Sequence, residues 1–157
     1  MSVRYDGPVI DPHHHLWDLS LNRHPWLERA RASGGAMVFG GLAPILRDYG
    51  VADYRADAAN QNVVATVHVE AGWSDAHPLE ESRWLDGLDR SSGVARRYVA
   101  RVPLDSPDAA RLIEAEANNP NVVGIRDIVS WHPEPAKSFA ARAYRMVDPV
   151  WRAGLAH

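Results

Sequence analysis

Val63-Val64-Ala65-Thr66-Val67-His68-Val69-Glu70 is a run of β-branched and small residues, almost continuously apolar and free of Gly and Pro. A strand that is wet on one face alternates apolar and polar residues. A strand covered on both faces reads as an unbroken apolar run, which is the mark of a parallel sheet with helices packed against it. This segment predicts an α/β fold, and the flanking sequence repeats the theme.

Downstream, residues 78–88 read as a helix, with Pro78 at its first position and Trp84, Leu85 and Leu88 on one face. Residues 97–102 give another strand. Ser106-Pro107-Asp108 starts the next helix with a hydroxyl cap, a Pro at N1 and an acid in the first turn. Ala109, Leu112 and Ile113 form its apolar stripe, and Asn118-Asn119-Pro120 stops it. Residues 122–126 form a further strand, and Asp148-Pro149 caps a last helix carrying Val150, Trp151 and Leu155. Upstream, Val9-Ile10 leads the first strand. Residues 19–41 make a long connection containing His24-Pro25-Trp26 and Gly34-Gly35, and a loop of that length in a compact domain is usually functional or mobile. Leu42 to Tyr49 reads as a short helix closed by Gly50, and Tyr54 to Ala59 as another. The order is strand then helix, four times over, which implies a parallel sheet wrapped by helices.

The chain has 157 residues, enough for one domain with a core. With 46 % apolar and 24 % charged residues it is ordinary for a globular protein. A net charge of −3 and scattered arginines argue against a nucleic-acid partner. No apolar run approaches 18 residues, so no membrane span is expected. Met1-Ser2-Val3-Arg4-Tyr5-Asp6 has no apolar signal segment, so a cytoplasmic location is expected. With no cysteine, any metal must be held by His, Asp or Glu, a donor set suited to zinc, manganese or iron.

The first strand runs into Asp11-Pro12-His13-His14-His15-Leu16-Trp17-Asp18. Alternate strand residues share a face, so His13 and His15 should project together and His14 the other way, as a support for the sheet. Sites in parallel α/β folds form at the C-terminal ends of strands, where this pair falls. Two adjacent imidazoles there can hold one metal ion or polarise one carbonyl. His68 and Glu70 share a face at the end of the second strand; they either line the site or form a buried hydrogen-bonded pair. Arg126 ends the fourth strand and can grip a substrate carboxylate with its fork, unless it pairs with Asp127 or another acid. Trp17, Trp26, Trp73 and Trp131 follow strand ends and can wall a pocket. Asp18 either orients an imidazole or caps the next turn. Glu80, Glu81, Asp86 and Asp89 read as a solvated helix face.

The run from Ile10 to Asp18 resembles the opening of the amidohydrolase-related (amidohydrolase 2) family, most nearly its sugar-lactone and dicarboxylate-lactone hydrolases. The resemblance continues through His24-Pro25-Trp26-Leu27, Val67-His68-Val69-Glu70-Ala71, Glu80-Glu81-Ser82-Arg83-Trp84-Leu85, Val123-Gly124-Ile125-Arg126 and Trp151-Arg152-Ala153-Gly154-Leu155. It implies a distorted (β/α)8 barrel nearly twice this length, of which residues 1–157 are the N-terminal half, strands one to four. It also implies His13 and His15 as catalytic and metal-ligating residues; from their own positions at strand ends, Arg126, His68, Glu70 and Trp17 are expected on the substrate. The resemblance further implies a zinc or manganese ion, or in some relatives a metal-independent site. In that version His13 and His15 polarise the carbonyl directly and an aspartate activates water. The remaining histidines and the aspartate of the family pattern come from later strands.

Two other features point to a truncated chain. The last helix has about two turns before His157, and four βα units are half of the eight that close a barrel of about 250 residues. The alternative is a complete four-unit open sheet. The expected function is a hydrolase of a lactone or similar small carbonyl compound, inactive as this fragment. The alternatives are a related decarboxylase, or a catalytically dead half-barrel that acts through protein binding or as a homo-oligomer paired by its open sheet edges.

Overall fold

The computed structural model describes residues 5–32, 34, 36–37 and 40–157. The sequence readings of Met1 to Arg4 and of Gly35 lie outside the described residues.

Four strands, β1 (Val9–His14), β2 (Val63–Val69), β3 (Arg97–Arg101) and β4 (Val122–Arg126), form one parallel sheet in the order β1-β2-β3-β4. The crossover from β1 to β2 carries α1 (Pro25–Ala32) and α2 (Val51–Asp57); α3 (Glu80–Asp86) and α4 (Ala109–Ala117) carry the next two, and α5 (Pro149–Leu155) follows β4. Each strand neighbours the next in sequence, which is the winding of half a (β/α)8 barrel. A small antiparallel ladder joins Ala36–Met37 to Gly40–Gly41 within the long connection. No helix among the described residues is long and apolar enough to cross a membrane.

The core lies between sheet and helices. Leu16, Tyr54, Leu85, Val94, Ala95 and Tyr98 form one buried cluster, and Val102, Leu104, Leu112 and Trp151 a second. Burial of a ring such as Tyr98 contributes about 2–3 kcal/mol, and its hydroxyl stays satisfied by donating to Asp86 Oδ1 at 3.1 Å. On the sheet itself Ile10, Val64 and Val123 remain exposed.

Several helix boundaries depart from the sequence reading. The segment 42–49 holds only a 3-10 turn, Ala43–Ile45. Tyr49 cannot join a helix because its backbone exchanges two hydrogen bonds with Trp17, each 3.0 Å. Gly50 therefore begins α2 rather than ending a helix before it, and Asp53 Oδ2 accepts its N–H at 2.9 Å. Helix α3 starts at Glu80 and not at Pro78, because Leu79 sits in the left-handed region at φ 70°. Helix α4 starts at Ala109, because Ser106 Oγ accepts the Asp108 N–H and closes a separate turn first. The last helix begins as read: Asp148 accepts the Val150 N–H at 2.8 Å, with Pro149 at the first position.

The expected solvated face of α3 holds for Asp86 and Asp89, which are exposed, and is corrected at Glu81. Glu81 is buried. Asp86 accepts from Tyr98, Asn119 and Asn121, and so pins α3 to the turn before β4. Glu80 pairs with Arg23, and Asp89 accepts the Ser91 N–H. Sequence spacing marks the helix but not what crosses over it.

The segment after β4 is fastened by Asp127. Its carboxylate takes the Arg145 guanidinium at 2.6 Å, the Trp151 indole N–H at 2.9 Å and the Leu104 N–H at 3.1 Å. Arg145 also holds Asp105 at 2.6 Å. One buried acid thus ties α5 to the C-terminal end of the sheet.

Candidate active site

β1 ends at His14, and the three histidines separate as strand alternation requires. His14 turns toward α2 and is buried: its Nε2 lies 2.6 Å from Thr66 Oγ1 and its ring 4.7 Å from that of Tyr54. Burial pushes its pKa down to about 4. His13 and His15 come together with ring centroids 5.0 Å apart.

His15 Nδ1 lies 2.7 Å from the Val69 carbonyl oxygen. A carbonyl only accepts, so the bond assigns the proton to Nδ1 and leaves the lone pair on Nε2. Burial holds the ring below the ordinary histidine pKa, so it is neutral at pH 7. A neutral imidazole anchored through one nitrogen and open at the other is the arrangement of a metal ligand. It does not suit direct polarisation of a carbonyl, which needs a proton at Nε2. His15 thus offers one unpaired imidazole nitrogen, with the His13 ring 5.0 Å away between centroids. Among the described residues, no group of three or more His, Asp or Glu side chains is placed to hold an ion.

His68 is not at the substrate surface, which corrects the sequence reading. It is fully buried; its Nδ1 accepts the Leu16 N–H at 3.2 Å, and its Nε2 donates to Glu81 Oε1 at 3.1 Å. Both nitrogens are committed, and burial pushes the pKa down to about 3. Nor is Glu70 its partner. Glu70 Oε1 accepts from Arg126 Nε at 2.7 Å and Oε2 from the Gly72 N–H at 2.9 Å. Arg126 further donates from Nη2 to the Glu70 carbonyl at 2.8 Å. The partner acid of Arg126 is thus Glu70 and not Asp127. Its Nη1 has no hydrogen-bond partner among the described residues.

His15, Trp17, Glu70 and Arg126 line one cavity of about 400 Å³, with Trp26 and Trp73 as further walls. That size suits a small molecule. Trp17 and Trp26 are held by indole N–H bonds to the Arg47 and Ala71 carbonyls, at 2.6 and 2.7 Å. Trp131 does not line this cavity, and Asp18 is a cap: its Oδ1 accepts the Ser20 N–H at 2.9 Å.

Arg101 was missed by sequence reasoning. It lines the same cavity, stands in register with Arg126 on the neighbouring strand, and is held by Asp75 at 2.7 Å. The strand-end rule that selected Arg126 selects Arg101 when applied to β3. Glu81 was also missed, because an acid beside Glu80 at the start of a helix looks solvated.

The geometry defines an α/β half-barrel with a histidine pair and two guanidinium groups at the C-terminal strand ends. No family model matches the chain. It is 34 % identical over 149 residues to the uncharacterized protein y4mH of Sinorhizobium fredii, an alignment covering 95 % of this chain and 49 % of that protein. Its fold is similar to that of an amidohydrolase 2 from Bifidobacterium longum subsp. infantis, with a TM-score of 0.56 and 23 % identity over 95 % of this chain and 46 % of that one. The chain spans about half the length of each.

Proposed function

We propose that this chain forms part of an amidohydrolase-type hydrolase whose substrate is a lactone or similar small carbonyl compound carrying a carboxylate. The observation that carries the reading is His15, neutral and open at Nε2, in one cavity with Arg126 and Arg101. The likeness in fold to an amidohydrolase supports it.

His13 and His15 would hold a zinc or manganese ion, which when bound supplies Lewis-acid polarisation of the carbonyl and a more acidic water. Arg126 Nη1 and Arg101 attract and orient the substrate carboxylate. The tryptophan walls exclude bulk water and strengthen those contacts. The nearby acids are occupied: Asp11 accepts from the Tyr54 hydroxyl and the His13 N–H, Asp18 caps a turn, and Glu70 holds Arg126. The general base of this reading therefore lies outside these three.

The test is a panel of small carboxylated lactones offered with zinc or manganese to the purified chain and to a polypeptide as long as its relatives. Ring opening is followed by proton release and binding by tryptophan fluorescence. Ring opening that is lost in His15→Ala supports the proposal. Carbon dioxide release in its place identifies a decarboxylase. Binding without turnover in the longer polypeptide overturns the hydrolase reading.

A second reading rests on the exposed Ile10, Val64 and Val123 and on β1 and β4, each with one sheet neighbour. It takes the chain as a half-barrel that associates with a second copy. A single monomeric species by sedimentation counts against it.

A further inference from the structure

The His15 anchor has a second layer beneath it. Val69, whose carbonyl holds His15, is followed two residues later by Ala71, whose N–H donates to Glu81 Oε1 at 2.8 Å. The same oxygen takes the His68 Nε2–H at 3.1 Å, and His68 in turn accepts the N–H of Leu16, the residue after His15. One carboxylate oxygen therefore ties together the two backbone segments, 15–16 and 69–71, between which the His15 imidazole is suspended.

Glu81 gains little for itself from this place. It is 6 % exposed, its Oε2 is buried without a partner among the described residues, and burial pushes its pKa up to about 7. A buried carboxyl is costly unless its hydrogen bonds have a use. An apolar side chain here would leave the buried N–H groups of Ala71 and His68 without an acceptor.

We infer that Glu81 is a positioning residue, which fixes the orientation and the Nδ1–H tautomer of His15 through His68 and the Ala71 amide. It makes no hydrogen bond to His13 or His15 among the described residues, and acts on His15 only through its neighbours. The inference rests on the reading of His15 as a site residue, but the tautomer is read without any assay of hydrolysis.

The test uses the ¹⁵N-labelled chain at pH 7.5, with long-range ¹H–¹⁵N imidazole spectra of wild type, Glu81→Gln and Glu81→Ala, and near-ultraviolet circular dichroism to verify folding. In wild type His68 should be the Nε2–H tautomer and His15 the Nδ1–H tautomer. Glu81→Gln, whose amide oxygen accepts as Oε1 does, should keep both. Glu81→Ala should convert His15 to a tautomer mixture and weaken zinc binding about 10- to 100-fold. An Nδ1–H tautomer of His68 in wild type overturns the proposal, as does a folded Glu81→Ala whose His15 is unchanged. If the alanine variant fails to fold, Glu81→Asp decides, because its shorter carboxylate cannot reach both the His68 Nε2–H and the Ala71 N–H: a His15 tautomer mixture in the folded protein supports the inference, and an unchanged Nδ1–H tautomer overturns it. Failure of wild type to bind zinc counts against the metal site alone.

Discussion

Arg126, at the end of β4, donates through Nε to the fully buried carboxylate of Glu70, just past the end of β2, at 2.7 Å. The bond spans β3 and links the end of β2 to the edge strand β4 at the floor of the cavity. It also leaves the far side of the guanidinium for a ligand.

Arg126→Ala would strand the Glu70 carboxylate with only the Gly72 N–H as donor. Breaking a buried pair from one side costs about 3–5 kcal/mol. The urea midpoint should fall accordingly. Arg126→Lys should recover only part of the loss, because an ammonium lacks the fork that meets both the carboxylate and the Glu70 carbonyl.

Metal content should distinguish the three adjacent histidines. Zinc or manganese carried by wild type should disappear in His13→Ala and in His15→Ala. In His14→Ala it should persist, although that variant loses the Thr66 bond and stability with it. Elemental mass spectrometry of dialysed samples measures this, and metal lost from His14→Ala but kept in His15→Ala would contradict the assignment.

Stability should fall on mild acidification. Burial lowers the pKa of His14 to about 4 and of His68 to about 3, and lowers those of His15 and His24 as well. Between pH 6.5 and these values the unfolded chain binds protons that the folded chain does not, so stability declines as pH falls. At pH 5 the loss is about 2 kcal/mol for each of His14 and His68. Glu81 works the other way: with its folded pKa raised to about 7, it keeps a proton that the unfolded chain has released, and it costs stability as pH rises toward 7. Four imidazoles outweigh it. Urea midpoints from pH 7.5 to 5 should decrease, and His14→Asn should flatten the curve.

Gly154→Ala should destabilise, although alanine is the better helix former by about 1 kcal/mol. A Cβ at Gly154 would collide with the Leu104 carbonyl, so the added methyl pushes α5 off the sheet end. A lowered thermal midpoint, together with weakened burial of Trp151 by fluorescence, would report that displacement.

The α/β alternation was legible because it depends on local pattern. The apolar run at 63–69, the Asp148-Pro149 start of α5 and the Asn118 stop of α4 all act within a few residues of themselves. The opposed faces of His13, His14 and His15 followed from strand geometry alone. The misread boundaries failed where a distant partner took over the backbone, as Trp17 does for Tyr49.

Residue types and their order along the chain determined that this protein has parallel strands, that an imidazole pair stands at the end of the first, and that arginines end later ones. Tertiary structure alone decided which polar group meets which. His68 and Glu70 share a strand end, yet one is bound to Glu81 and the other to Arg126. Those choices are made by burial: once out of water, each charge and each N–H must take the partner that packing brings within hydrogen-bond reach, and sequence distance has no part in that selection.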